Sequence, residues 1–203
     1  MARVHPHTPS PPSSSSSSYL TLKREIFTIW MKSLVIQGNG CTVFNSNGEI
    51  VYRIDNYDKK CSNEVYLMDL RGRVLFTIRR RKLRVFGRWN GYKCNGSMVK
   101  NEIPCFQVRK NYRLLRGDSS CQVTVRPVEG CQATCYRFEG LAGKAAFKII
   151  DSEGGLVAEV KQKQTSSGIQ FGDDVLTLVV EPQKDHALIM ALVSVYGLIC
   201  HRM

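Results

Sequence analysis

A chain of 203 residues with 43% hydrophobic side chains suits one domain with a sizeable core, which excludes a wholly disordered protein. Its formal net charge of +12, from 29 Lys and Arg against 17 Asp and Glu, points to an anionic partner, either phospholipid headgroups or nucleic acid. Met1 to Ser18 has no apolar core segment and so no secretory signal. The chain is therefore expected in the cytoplasm, at the periphery of the plasma membrane, or in the nucleus, rather than secreted.

Residues 1–18, with Pro6, Pro9, Pro11, Pro12 and the run Ser13 to Ser18, offer almost nothing to bury and read as a disordered tail open to phosphorylation. They carry no acidic residue, a faint likeness to an organelle transit peptide, but form no amphipathic helix. From residue 19 to 203 the chain reads as one domain. Short runs alternate with period two: Ile50, Tyr52 and Ile54; Val74, Phe76 and Ile78; Cys121, Val123 and Val125; Leu156, Ala158 and Val160; Leu176, Leu178 and Val180. That period is the mark of half-buried strands. Turn signals fall at Asn47-Gly48, Arg71-Gly72, Asn90-Gly91, Asn95-Gly96, Gly154-Gly155 and Ser167-Gly168. Three hairpins look like versions of one unit, in which Asn45, Asp69 or Asp151 follows an apolar pair and Gly48, Gly72 or Gly154 stands three residues on. The Asn or Asp side chain is expected to bond its own turn, and Gly to supply a positive φ.

The most concentrated candidate site is the run from Arg79 to Lys93, in which seven of fifteen residues are basic: Arg79, Arg80, Arg81, Lys82, Arg84, Arg88 and Lys93. Phe86, Trp89 and Tyr92 interleave with them. On a strand, Arg80, Lys82 and Arg84 share one face while Leu83 and Val85 point inward, which gives a cationic stripe for phosphate, with Trp89 and Tyr92 placed for a headgroup boundary or for stacking on bases. The bland alternative is a charged strand kept soluble and unpaired. A nuclear-import run at Arg79 to Lys82 and an integrin-type Arg116-Gly117-Asp118 are weaker readings. Arg109, Lys110, Arg113 and Arg116 form a second basic group that enlarges the field or lies solvated.

Eight cysteines, at 41, 61, 94, 105, 121, 131, 135 and 200, read as thiols on strands in a reducing compartment. Cys131 and Cys135, with Cys121, do not complete a zinc set, and no metal or cofactor is expected. Gly-x-Ser-x-Gly, His-Glu-x-x-His and Walker patterns are absent, so the chain is read as a non-enzyme with no catalytic residues.

The last element runs from His186 to Cys200. Its residues Leu188, Ile189, Met190, Leu192, Val193, Val195, Tyr196, Leu198 and Ile199 cover every side of a helical wheel. At about 20 Å it is short for a bilayer span, so it is expected to be a buried core helix. Pro182 suits a first helical position and Asp185 a cap; Ser194 suits a bond back to a helical carbonyl. Many one-faced strands around a helix that is apolar all round predict a closed or nearly closed antiparallel barrel threaded by that helix.

Gly172 to Met190, together with Trp30-Met31-Lys32-Ser33-Leu34, Asn63 to Asp69 and Gly87-Arg88-Trp89-Asn90-Gly91-Tyr92, resembles the plant LURP-one-related proteins. The resemblance implies the fold shared by tubby C-terminal domains and phospholipid scramblases, a barrel of about twelve strands around a hydrophobic C-terminal helix. It also implies a link to plant defence and, through the tubby kinship, binding of phosphoinositide headgroups by basic side chains. The function expected is thus a monomeric, non-catalytic regulatory or tethering module on anionic phospholipid. Nucleic-acid or transcription-linked binding is the first alternative, and scramblase-like lipid translocation the second.

Overall fold

The computed structural model describes residues 19–32, 39–56, 63–81, 88–94, 103–112, 119–126, 133–140 and 146–200. The alternating runs form strands β1 (Glu25–Trp30), β2 (Asn39–Phe44), β3 (Ile50–Asn56), β4 (Glu64–Asp69), β5 (Val74–Arg81) and β6 (Arg88–Lys93). They continue with β7 (Phe106–Tyr112), β8 (Ser119–Val125), β9 (Thr134–Gly140), β10 (Phe147–Asp151), β11 (Leu156–Gln162) and β12 (Val175–Val180) before helix α1 (His186–Ile199). Each strand pairs antiparallel with its sequence neighbours, and β1 pairs with β12, so the sheet closes as the predicted barrel. Closure leaves no strand edge exposed.

One face of every strand points at α1. Ile29, Val43, Ile54, Leu67, Ile78, Val108, Val123, Phe138, Ile149 and Leu178 are fully buried around it. Within α1, Ile189, Met190, Leu192, Val193, Val195, Tyr196 and Leu198 are buried, while Leu188 and Ile199 at its ends are half-buried against the same core. Because neighbouring strands are antiparallel, odd-numbered strands all end at one rim. The helix leaves at that exit rim, where Tyr196 stacks on Phe147, the first residue of β10, at 3.9 Å between ring centroids.

Asp185 caps α1 as expected, its Oδ1 accepting from the amides of Ala187 and Leu188 at 2.9 and 3.0 Å. Pro182 is not the first helical residue. It lies in the turn before the helix, where Gln183 takes a φ of 60°. Ser194 Oγ donates to the Met190 carbonyl at 2.8 Å, as its position in the helix suggested. Gly197 is buried inside α1 rather than ending it, and Cys200 forms the C-cap.

The three hairpin units on the entry rim are built alike. The Oδ1 atoms of Asn45, Asp69 and Asp151 each accept two amides: those of Asn47 and Glu49, Arg71 and Arg73, and Glu153 and Gly155, respectively. Gly48, Gly72 and Gly154 take φ values of 79°, 75° and 89°, and each turn is preceded by a register shift in its hairpin. The shift after Ile149 also explains a departure from the predicted alternation: Leu156 pairs with Ile150 and is exposed, whereas Val157, Ala158 and Val160 are buried.

Asn90-Gly91 is a further correction, because it lies inside β6 and is no turn. Gly91 faces the core, and a Cβ there would meet the Phe106 ring at 2.0 Å. Close packing, rather than a turn, requires this glycine. Asn95-Gly96 lies outside the described residues, as do Arg116-Gly117-Asp118 and the tail 1–18.

His186 opens α1 in a box of aromatic rings. Tyr19, Phe27 and Tyr52 approach its ring at 5.6, 5.5 and 6.0 Å between centroids, and Tyr52 Oη lies 2.6 Å from its Nδ1. Burial holds the imidazole below its usual pKa against the opposing pull of Asp185 and Glu25. The neutral ring is therefore the folded form. Its contribution to stability is complete above the ordinary histidine value of about 6.5 and falls as pH drops below it, because the unfolded chain takes up the proton first. Thermal melts between pH 8 and 5.5 should show that loss. His186→Gln should be less stable at pH 8 but decline less over the same range; an unchanged slope would mean that His186 titrates as freely in the fold as outside it.

Candidate anion-binding site

Strands β5, β6 and β7 lie side by side, and their register decides which basic residues meet. Arg81 is opposite Arg88, and Arg88 is opposite Arg109. Val108 is fully buried, so its neighbour Arg109 points outward, and Arg88 and Arg81 share that face. Opposed side chains on one face have Cβ atoms about 5 Å apart. Three guanidinium groups thus form a row across the outer wall near the exit rim. Among the described residues none of the three has an acidic partner.

The flanking residues are held differently. Arg79 is ion-paired with Glu64 at 3.0 Å and stands 5.4 Å from the Tyr92 ring. Partial burial weakens its charged form, but the hydrogen bond and charge of Glu64 outweigh this and raise its pKa. Arg80 sits opposite Trp89 on the inner register, not in the outward stripe expected for it, and its guanidinium lies 5.9 Å from the indole. Trp89 is only 5% exposed, so the indole supports Arg80 from the core side and does not face a ligand.

Asn90 lies between Arg79 and Gln107 in the register and is 1% exposed. Its Nδ2 donates to Tyr92 Oη at 3.3 Å, while its Oδ1 has no partner among the described residues. Lys93 is at the far end of β6, about 17 Å along the strand from Arg88, and does not join the row. Lys82, Arg84, Arg113 and Arg116 lie outside the described residues.

Of the predicted basic run the structure therefore brings Arg81 and Arg88 into one row, with Arg79 and Arg80 flanking it, and adds Arg109 from the second group. Arg109 is distant in sequence, and strand register alone puts it beside Arg88. Beyond it the row passes through Gln122 to Arg137, which Glu139 neutralises.

Chemically, such a row can grip phosphate oxygens through paired N–H donors. Among the described residues, few acid–base groups or nucleophiles stand near the row. His186, the one described histidine, is enclosed at the opposite rim. Burial pushes the thiols of Cys105 and Cys121 up to about 11 and about 12, which keeps them protonated. The six described cysteines carry free thiols, and among the described residues no cluster of His, Cys, Asp and Glu could hold a metal ion.

Comparison with known proteins places this geometry in context. The sequence profile described as LURP-one-related matches residues 25–197. Protein LURP-one-related 4 of Arabidopsis thaliana is 49% identical over 201 residues, covering 98% of this chain and 87% of the relative. Protein LURP-one-related 3 of the same plant is 45% identical over 209 residues, covering 98% and 92%. An X-ray structure of an Arabidopsis thaliana protein superposes with a TM-score of 0.63 at 14% identity, covering 91% of this chain and 96% of that one, which shows a shared fold.

Like charges directly opposite one another destabilise a sheet by several tenths of a kcal/mol. Arg88 has such a neighbour on each side, so Arg88→Thr should raise stability by about 0.5 kcal/mol at low salt, with the gain shrinking toward zero at about 0.5 M salt. Denaturant melts at the two ionic strengths test this, and a loss of stability at low salt would mean that the row is not repulsive.

Proposed function

The chain belongs to the LURP-one-related family, and we propose that it is a non-catalytic regulatory or tethering module that docks on anionic phospholipid, phosphoinositides included, through Arg81, Arg88 and Arg109, with Arg80 beside them. The observation that carries this reading is the row itself: three outward guanidiniums in register and without an acidic partner among the described residues. A protein that keeps such a row forgoes stability, a pattern found where function needs the arrangement. Phosphate groups supply the missing counter-charge, and Arg suits them better than Lys because its N–H donors are planar and paired.

Regulation of plant defence enters the proposal through the family resemblance alone. Nucleic-acid binding shares the same charge requirement, but α1, the one described helix, is enclosed by the barrel and is not placed to read a groove. No described helix is long and apolar enough to cross a membrane, and α1 at 14 residues is enclosed, so the lipid-translocation alternative draws no support from it.

The test is flotation of the purified chain with phosphatidylcholine vesicles, with and without phosphatidylserine and a phosphoinositide. Binding should require the anionic lipids and weaken as salt rises. Arg81→Gln, Arg88→Gln and Arg109→Gln together should lower it at least tenfold, since each lost cation near an anionic surface is worth about 1 kcal/mol. Absence of flotation at low salt, or tighter binding to an oligonucleotide than to the vesicles, would overturn the reading.

A further inference from the structure

The hairpin joining β11 to β12 stands on the same exit rim as Arg81, across the mouth of the barrel, and it presents two large apolar side chains to solvent. Ile169 is 67% exposed and Phe171 43% exposed. Internal bonds hold the hairpin in shape. Gln164 bridges Gln170; the Thr165 amide donates to the Ile169 carbonyl at 2.8 Å; Thr165 Oγ1 accepts the Ile169 amide at 3.0 Å; and Gly168 turns the chain at a φ of 82°. Its base is tied to the barrel by Gln162 Nε2, which donates to the Phe171 carbonyl at 2.7 Å. Lys163 donates to Thr28 Oγ1 at 2.6 Å while its ammonium stands 5.9 Å from the Phe171 ring.

A rigid, polar-backed hairpin that holds two large apolar side chains away from the core gains nothing in folding. We propose that residues 165–171 enter the interfacial layer of an anionic phospholipid bilayer, Ile169 and Phe171 leading, so that the barrel stands on its exit rim. This rests on the lipid-binding reading above and adds to it an orientation and an apolar contact. Charge complementarity at β5, β6 and β7 selects the occupant, against the opposing carboxylate of Asp173 near Phe171. Arg80 and Arg81, exposed at the end of β5, and Arg88 and Arg109 beside Arg81, lie toward the same rim and need anions, which a bilayer supplies in the same plane in which it accepts apolar side chains. Lys163 sets a cation beside the apolar Phe171 ring, the pairing an interfacial lysine provides.

Two variants and one probe test this on the full chain with vesicles of phosphatidylcholine, phosphatidylserine and a phosphoinositide. Ile169→Ser with Phe171→Ser should lower vesicle partitioning about tenfold, with the residual binding abolished by about 0.5 M salt, and should leave the melting temperature unchanged because both side chains are exposed. In the separate variant Phe171→Trp, the added indole should shift to the blue on vesicles and be quenched by brominated acyl chains beyond the change shown by the unsubstituted protein. If the unsubstituted protein floats and the arginine variant does not, but the serine variant floats undiminished and the indole is unquenched, the hairpin inference is wrong and the arginine reading stands. If the unsubstituted protein does not float, both fail. If the serine variant instead abolishes self-association measured by light scattering, the hairpin is a contact between copies and the inference is again overturned.

Discussion

Residues 187–200 carry no charge, and the helix they form has no side that prefers water. Enclosing such a helix takes apolar surface on all sides at once, and a single antiparallel sheet provides that only by curling until its first and last strands meet. The β1–β12 pairing is the seam at which this happens, six residue pairs long. Each large side chain buried along the helix contributes about 1.5–3 kcal/mol, so the sheet and the helix stabilise each other and neither has a reason to persist alone. Asp185 and Tyr52 fasten one end of the helix, and the stacked rings of Phe147 and Tyr196 the other.

Closure also dictates what is left for function. Among the described residues the interior is filled by side chains, and the features that stand out for a partner lie on the outer wall and the exit rim. The outer wall of β5, β6 and β7 carries arginines in register, and the exit rim carries the Ile169–Phe171 hairpin. On the entry rim the three matching turns are built for structure. Each uses the Oδ1 of Asn45, Asp69 or Asp151 in bonds to its own backbone, so those polar side chains stand in for loop length.

Much of this fold was legible in the sequence because its two periods are clean. Alternation over residues such as Leu176, Leu178 and Val180 marks strands, the unbroken apolar run from Ala187 marks the enclosed helix, and the spacing of Asn45, Asp69 and Asp151 from their glycines anticipates the turns. The misreadings come from tertiary packing. Asn90-Gly91 has a turn's composition, but the Phe106 ring occupies the space of a side chain at Gly91, and nothing local announces that. The site was half legible for the same reason. A basic run at Arg79 to Arg88 is visible as composition, whereas Arg109 joins it through strand register, and Trp89 leaves it because alternation turns the indole inward. Period and composition are local, while adjacency across strands belongs to the whole sheet.

The central claim is that α1 is an axle inside the closed sheet, and native-state hydrogen exchange of its amides tests it most directly. Amides from Met190 to Leu198 should exchange only through global unfolding, with an opening free energy equal to that from denaturant melts and the same dependence on denaturant. Exchange of those amides through a local opening well below the global value, while the β1–β12 amides stay protected, would show a barrel that holds without its helix and would contradict the account.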